Sequence, residues 1–203
     1  MRAAVQNGDA RKVAWLMRQD PGFNLNGHDE HGCTLLYYAC YKSERSAVIP
    51  LLLAHPDIDV NVKITSGRTP YSIACFYGHT SCLREMLKDS RVKVNEPDDD
   101  GLTPLWRVAS KGHLDVIKWR IASGREMDLG KPGDFKTDAI GSAKRYGNTE
   151  AATLLERFKG DAAKTRSELV KELGIDGQFP CSSITNLGLT FRLIVRFPCD
   201  LTA

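Results

Sequence analysis

The chain has 203 residues, 42% of them hydrophobic and 26% charged, and a formal net charge of +3, an ordinary composition for a soluble globular protein that names no function by itself. So small a surplus, without a basic stripe or tail, argues against a nucleic-acid binder, and no apolar run approaches the roughly eighteen residues of a membrane span. The opening MRAAVQNGDARK lacks the apolar centre of a signal peptide, and the six cysteines at 33, 40, 75, 82, 181 and 199 contain no Cys-x-x-Cys pair, so free thiols in the cytoplasm, or alternatively the nucleus, are expected.

Residues 1–26 begin with Ala3, Ala4 and Val5 as a short helix, pass Gly8-Asp9, and continue with Val13, Leu16 and Met17 at helical spacing. This first unit lacks a turn and a threonine at its start, so it reads either as a cap or as the cut end of a longer protein. Residues 27–61 carry Gly32-Cys33-Thr34-Leu35-Leu36, then Ser43-Glu44, then Val48, Leu51 and Leu52. Pro50 falls in or just after the first turn of a helix expected to begin near Ser46, where a missing amide donor costs little. Residues 62–95 carry Gly67-Arg68-Thr69-Pro70-Tyr71, Gly78-His79, and Leu83, Met86 and Leu87. Residues 96–130 carry Gly101-Leu102-Thr103-Pro104-Leu105, Gly112-His113, and Val116, Ile117 and Ile121.

The glycine–threonine marker therefore recurs at intervals of 35 and 34 residues, and the second marker follows each threonine at a fixed distance, the signature of a repeat architecture. Thr34, Thr69 and Thr103 stand where helix N-caps are wanted, with Pro70 and Pro104 at the first helical position. Gly78 and Gly112 come about two turns later and suit a chain reversal into a second helix. Cys40, Cys75 and Ala109 share one slot, and Ala47, Cys82 and Val116 share another, which makes these cysteines small buried apolar residues. Arg120 occupies a core slot filled elsewhere by Leu16, Leu51, Met86 and Leu155. A buried, unpaired guanidinium is costly, so its head is expected to reach solvent or to meet an acid.

The run Asp98-Asp99-Asp100-Gly101-Leu102-Thr103-Pro104-Leu105 followed by Gly112-His113-Leu114-Asp115-Val116-Ile117 resembles the ankyrin repeat. The resemblance covers roughly residues 1–159 and implies an all-α solenoid of stacked antiparallel helix pairs with projecting turns, five repeats in all with degenerate ends. Residues 131–159 keep Ala139-Ile140, Ala143, Gly147-Asn148 and Leu154-Leu155, with Asp138 in place of the threonine and Lys136 in place of the glycine. Residues 160–174 contain one more amphipathic helix, Ala162 to Leu173, whose Leu169, Val170 and Leu173 are placed to seal the stack. In the tail, residues 175–203, Leu189, Phe191, Leu193, Val195 and Phe197 alternate with Thr190, Arg192, Ile194 and Arg196, a strand pattern. A disordered tail, a strand added to another chain's sheet, and the product of an abnormal transcript remain three readings of it.

Phosphate-cradling glycine loops, the His-Glu-x-x-His helix, the nucleophile elbow and the kinase signatures are absent from the sequence, so neither an enzyme nor a cofactor is expected. His28, His31 and Cys33 do not make a closed set of four metal ligands. The acidic run Glu96, Asp98, Asp99 and Asp100 lacks the spacing of a calcium loop and reads as a solvated fingertip.

The resemblance instead implies a protein-interaction scaffold, whose partner meets the finger turns and the positions just before each Gly-His. Those positions include Tyr41, Lys42, Phe76, Tyr77, Ser110, Lys111, Arg145 and Tyr146, with Arg68, Asp99 and Asp100 on the fingers. Aromatics and arginine dominate interface hot spots, although Phe76 or Tyr77 packed against a neighbouring helix is the competing reading. The expected partner is a protein, with neither nucleic acid nor membrane, and the chain alone is expected to be monomeric. The alternative function is a structural or regulatory segment of a larger assembly, with contacts made by the termini. The resemblance further implies that Asn61 or Asn95 is a hydroxylation substrate; the alternative is that each caps the turn at a repeat junction.

Overall fold

The computed structural model describes residues 1–130 and 137–175. The strand expected at 189–197, Lys136 and the cysteines at 181 and 199 lie outside the described residues. Helices come in pairs: α1 (Arg2–Gln6) with α2 (Ala10–Gln19), α3 (Leu35–Cys40) with a 3-10 turn (Ser43–Val48) leading into α4 (Ile49–Leu53), α5 (Pro70–Tyr77) with α6 (Thr80–Leu87), α7 (Pro104–Lys111) with α8 (Leu114–Ala122), and α9 (Ala139–Arg145) with α10 (Thr149–Gly160). A single helix, α11 (Ala162–Leu173), follows and packs on α8 and α10.

The first helices of the pairs contact one another in order, α1 on α3, α3 on α5, α5 on α7 and α7 on α9, and a second layer runs behind them. Each start is set by its cap. Thr34, Thr69 and Thr103 accept hydrogen bonds from the amides of Tyr37, Ser72 and Trp106, and Asp138, in the threonine's place, accepts from Gly141. At Thr69 the Ser72 hydroxyl also accepts from the Thr69 amide, closing a capping box. The reversal after α5 needs Gly78, which sits at φ +72°; a Cβ there would lie 2.7 Å from the His113 ring. Left-handed backbone and close approach together favour glycine at this position.

The core is a continuous stack of small and aliphatic side chains. Cys40, Cys75 and Ala109 are buried in successive pairs, as are Cys82, Val116, Leu83, Ile117, Met86 and Leu155. Cys33, Cys40, Cys75 and Cys82 are free and buried, and burial pushes the Cys75 thiol up to about 12, which keeps it protonated and unreactive. Leu169 closes the far end of the core from α11, with Val170 and Leu173 packed against it.

Two sequence expectations need correction. Ala47 is exposed, and Val48 is the buried residue. The segment Ser43–Val48 forms a 3-10 turn and the α-helix starts only at Ile49, placing Pro50 in its first turn; three residues per turn rotate the apolar position by one place. Arg120, 3% exposed, neither reaches solvent nor meets an acid. Its guanidinium donates to the Asn95 carboxamide oxygen at 2.8 Å and to the Glu126 carbonyl at 2.5 Å.

The repeats are tied by polar bridges as well as apolar contact. The Asn26 carboxamide accepts from the Asp59 amide and donates to the Asp57 carbonyl, each at 2.8 Å. One unit on, Asn61 accepts from the Lys93 amide at 2.8 Å and donates to the Arg91 carbonyl at 2.9 Å. Asn95 donates to Glu126 at 3.2 Å. On the reversal side His79 donates to the Cys40 carbonyl and His113 to the Phe76 carbonyl, both at 3.1 Å, and Asn148 donates to the Ala109 and Ser110 carbonyls, both at 2.9 Å. A carbonyl only accepts, so each bonded ring nitrogen carries its proton.

Candidate functional site

The C-terminal ends of α3, α5, α7 and α9 present their last residues side by side, because each first helix is capped at the same register and lasts about two turns. In this arrangement the second-last position of one pair meets the last position of the next. Tyr41 meets Tyr77 edge to face with centroids 5.1 Å apart, and the Tyr77 hydroxyl donates to that of Tyr41 at 3.3 Å. This hydrogen bond, first among the causes, holds the Tyr77 phenol above its ordinary pKa. Phe76 meets Lys111, whose ammonium lies 5.2 Å from the ring centroid. The Arg68 guanidinium, coming from the finger, lies 4.7 Å from the same ring.

Exposure differs within this row. Tyr41 and Tyr77 remain 39% and 42% exposed, whereas Phe76 is half-buried under its two cations and edge-on to Tyr77 at 5.1 Å. Tyr77 also stacks on the His79 ring at 5.6 Å, so the histidine that bridges to Cys40 supports the tyrosine from behind. The two readings left open for the central aromatics thus divide: Phe76 packs substantially and Tyr77 stays open.

The remaining candidates fall around this centre. Lys42 is exposed, 3.9 Å from Glu44. Ser110 is half-buried, and its hydroxyl donates to the Arg107 carbonyl at 2.8 Å. Arg145 and Tyr146 are exposed at the end of α9, and Tyr146, 56% exposed, meets Trp106 at 6.3 Å. Among the finger acids, Asp98 takes the Arg107 guanidinium through two nitrogens at 3.0 and 2.7 Å, and Asp100 takes the same group at 2.7 Å. Asp99 is exposed, its amide donating to the Ser66 carbonyl of the preceding finger. Asn61 and Asn95 are apart from this row, engaged in the bridges described above.

Residue-by-residue reading of the sequence missed Trp106. It stands three residues after Thr103, in the register of Tyr37, and is half-buried with its indole N–H donating to the Thr137 carbonyl at 2.9 Å. Trp106 lies one turn before the last two positions of α7. Around His28, His31 and Cys33, the His28 ring donates to the Asp29 carbonyl, His31 lies 3.7 Å from Glu30, and Cys33 is buried.

Residues 49–131 match the family model of ankyrin repeats, three copies. The chain is 39% identical over 148 residues to the SMC5-SMC6 complex localization factor protein 1 of Homo sapiens, a match covering 70% of this chain and 14% of that protein. It is 29% identical over 147 residues to the tyrosine-protein kinase HTK16 of Hydra vulgaris, covering 70% of this chain and 18% of that one. It is also 29% identical over 112 residues to the ankyrin repeat protein OPG189 of Variola virus, covering 53% of this chain and 20% of the other. The chain thus spans a fifth or less of the length of these relatives. Ankyrin repeats are in general protein–protein interaction modules and not catalytic ones. Among the described residues no helix is long and apolar enough to cross a membrane.

Proposed function

We propose, from the premise that the chain is an ankyrin-repeat solenoid, that it binds a partner protein across the row Tyr41, Tyr77, Phe76 and Lys111, with the Trp106 and Tyr146 pair and Arg145 extending it. The observation that carries this reading is the exposed tyrosine pair at the centre of the stack. Two adjacent aromatic rings, held in place by edge-to-face packing and by His79, offer apolar area with little ordering cost. Monomeric proteins seldom leave such area open without a use. Lys42, Ser110, Asp99 and Asp100 form the polar surround, and the protein needs no cofactor and performs no reaction. It acts as a monomeric scaffold in the cytoplasm or nucleus.

The test is affinity capture from the source cell with the full chain and with Tyr41→Ala/Phe76→Ala/Tyr77→Ala, after circular dichroism shows equal helicity. A protein retained by the wild type alone supports the row. Equal retention by both moves the interface elsewhere and defeats this reading.

A second reading, a structural or regulatory segment whose contacts are made by its termini, is favoured by the length of the relatives, of which this chain spans 14 to 20%. Deleting residues 176–203 discriminates, since only this reading predicts lost association. For Asn61 and Asn95, the bridging bonds favour a junction role. Hydroxylation at either would follow release of a carboxamide from its backbone partners, and intact-mass measurement after incubation with an asparaginyl hydroxylase tests it.

A further inference from the structure

The charges around the aromatic row are not balanced within the molecule, and the imbalance has one sign. On the acidic side most carboxylates are already engaged: Asp98 and Asp100 hold Arg107, Glu96 holds Lys63 at 2.9 Å, and Asp29 takes the Tyr38 hydroxyl with Arg2 4.0 Å away. The exposed acids left over, Glu30 and Asp99, are on the fingers; the Asp99 carboxylate lies against Gly67, next to Arg68, without pairing with it, and a single acid there leaves the cations in excess.

On the cationic side, Arg68 and Lys111 lie over the Phe76 ring, and Arg145 is exposed at the end of α9. Among the described residues none of the three has a carboxylate within ion-pair distance. Lys42 adds a fourth cation, more than half exposed to solvent despite Glu44. The negative ends of α7 and α9 favour cations at Lys111 and Arg145, but a helix terminus leaves the charge available to an incoming anion. Phe76 does the same for Arg68: a ring face attracts the guanidinium without taking up its hydrogen-bond donors.

We infer that the partner segment recognised at this row is acidic, carrying Asp or Glu side chains toward Arg68, Lys111 and Arg145 and a large apolar anchor toward Tyr41 and Tyr77. The inference rests on the row being the binding site and adds the partner's chemistry to it. Like charges brought together across an interface are costly, so the same cations discriminate against basic segments. Arg68 contributes the most direction, because its planar fork matches a carboxylate through two parallel hydrogen bonds.

The experiment is selection of a random peptide library on the immobilised full chain, with Tyr41→Ala/Phe76→Ala/Tyr77→Ala as the counter-target. The peptides retained should be net negative with at least one aromatic or large aliphatic residue. In anisotropy titrations their affinity should fall about tenfold or more on Arg68→Glu/Lys111→Glu, with circular dichroism and urea unfolding of the variant matching wild type, and Arg68→Lys, which keeps the charge but loses the fork, should give a smaller loss in the same direction. Replacing the peptide's Asp and Glu by Asn and Gln should cost a similar factor. Enriched peptides of neutral or positive charge that still depend on the tyrosines would overturn the acidic assignment alone. Enrichment that does not depend on the tyrosines, or none above the counter-target, would overturn the site and the assignment together.

Discussion

Neither Arg120 nor Arg68 pairs with a carboxylate among the described residues, yet the molecule uses the two arginines in opposite ways. Arg120, 3% exposed, spends its donors on Asn95 and Glu126. Its neighbour Arg125 does the same with the carbonyls of Asp89, Ser90 and Val92 at 2.9, 3.3 and 2.6 Å, and burial, the largest cause, lowers its pKa. These two belong to the seam that joins the repeats, where their donors find partners in the chain itself. Arg68, half-buried over a phenyl ring on the first-helix face, keeps its donors. A seam consumes its hydrogen bonds, and an interface leaves some over; the same side chain can serve either end, and only its surroundings decide.

This contrast predicts that substitutions will separate into those that lower stability and those that lower binding. The largest stability effect belongs to the seam's apolar part: Leu83→Ala, fully buried, should cost about 2–5 kcal/mol in urea unfolding while the folded fraction binds as before. On the face, Tyr41→Ala/Tyr77→Ala should lower partner affinity by at least ~2 kcal/mol and shift the unfolding free energy by under about 1 kcal/mol. Comparable losses of both quantities would mean that the tyrosines are part of the core. Asn61→Ala removes a carboxamide that makes two bonds to the next repeat, and about 1–2 kcal/mol of stability should go with it, again without loss of binding.

A pH-dependent effect concerns the finger at Asp29. The hydrogen bond from Tyr38, with help from the amides of Cys33 and His31, holds the Asp29 carboxyl down at about 2 against an ordinary 3.8. A depressed carboxylate contributes stability that is fully present above its unfolded pKa and lost as pH falls through the folded one. Thermal melts of wild type and Asp29→Asn should therefore differ most at neutral pH and converge as the pH falls toward about 2. A gap that stays constant across this window would assign the difference to something other than the charge.

The parts of the fold most legible in the sequence were those with local causes. Thr34, Thr69 and Thr103 cap helices because a hydroxyl at that register satisfies a free amide, and Gly78 reverses the chain because it alone tolerates the left-handed backbone without strain. Ala47 was misplaced because Ser43–Val48, with neither glycine nor histidine at its start, winds as a 3-10 turn that no apolar spacing announces. Arg120 was read by its charge, and its actual partners are a side chain 25 residues earlier and the carbonyls of a loop, contacts that exist only after stacking. The aromatic row was legible position by position, but the pairing of Tyr41 with Tyr77 and the enclosure of Phe76 by Arg68 and Lys111 depend on how adjacent repeats are offset. Trp106 lay a turn away from the positions that the repeat pattern draws attention to.

The most direct measurement is hydrogen–deuterium exchange of the full chain with and without a saturating bound segment obtained by selection. The account predicts new protection confined to the ends of α3, α5, α7 and α9 and to the finger around Arg68, with α4, α6 and α8 unchanged. Protection centred on the second-helix layer or on residues 176–203, with the Tyr41 and Tyr77 region exchanging as before, would contradict it.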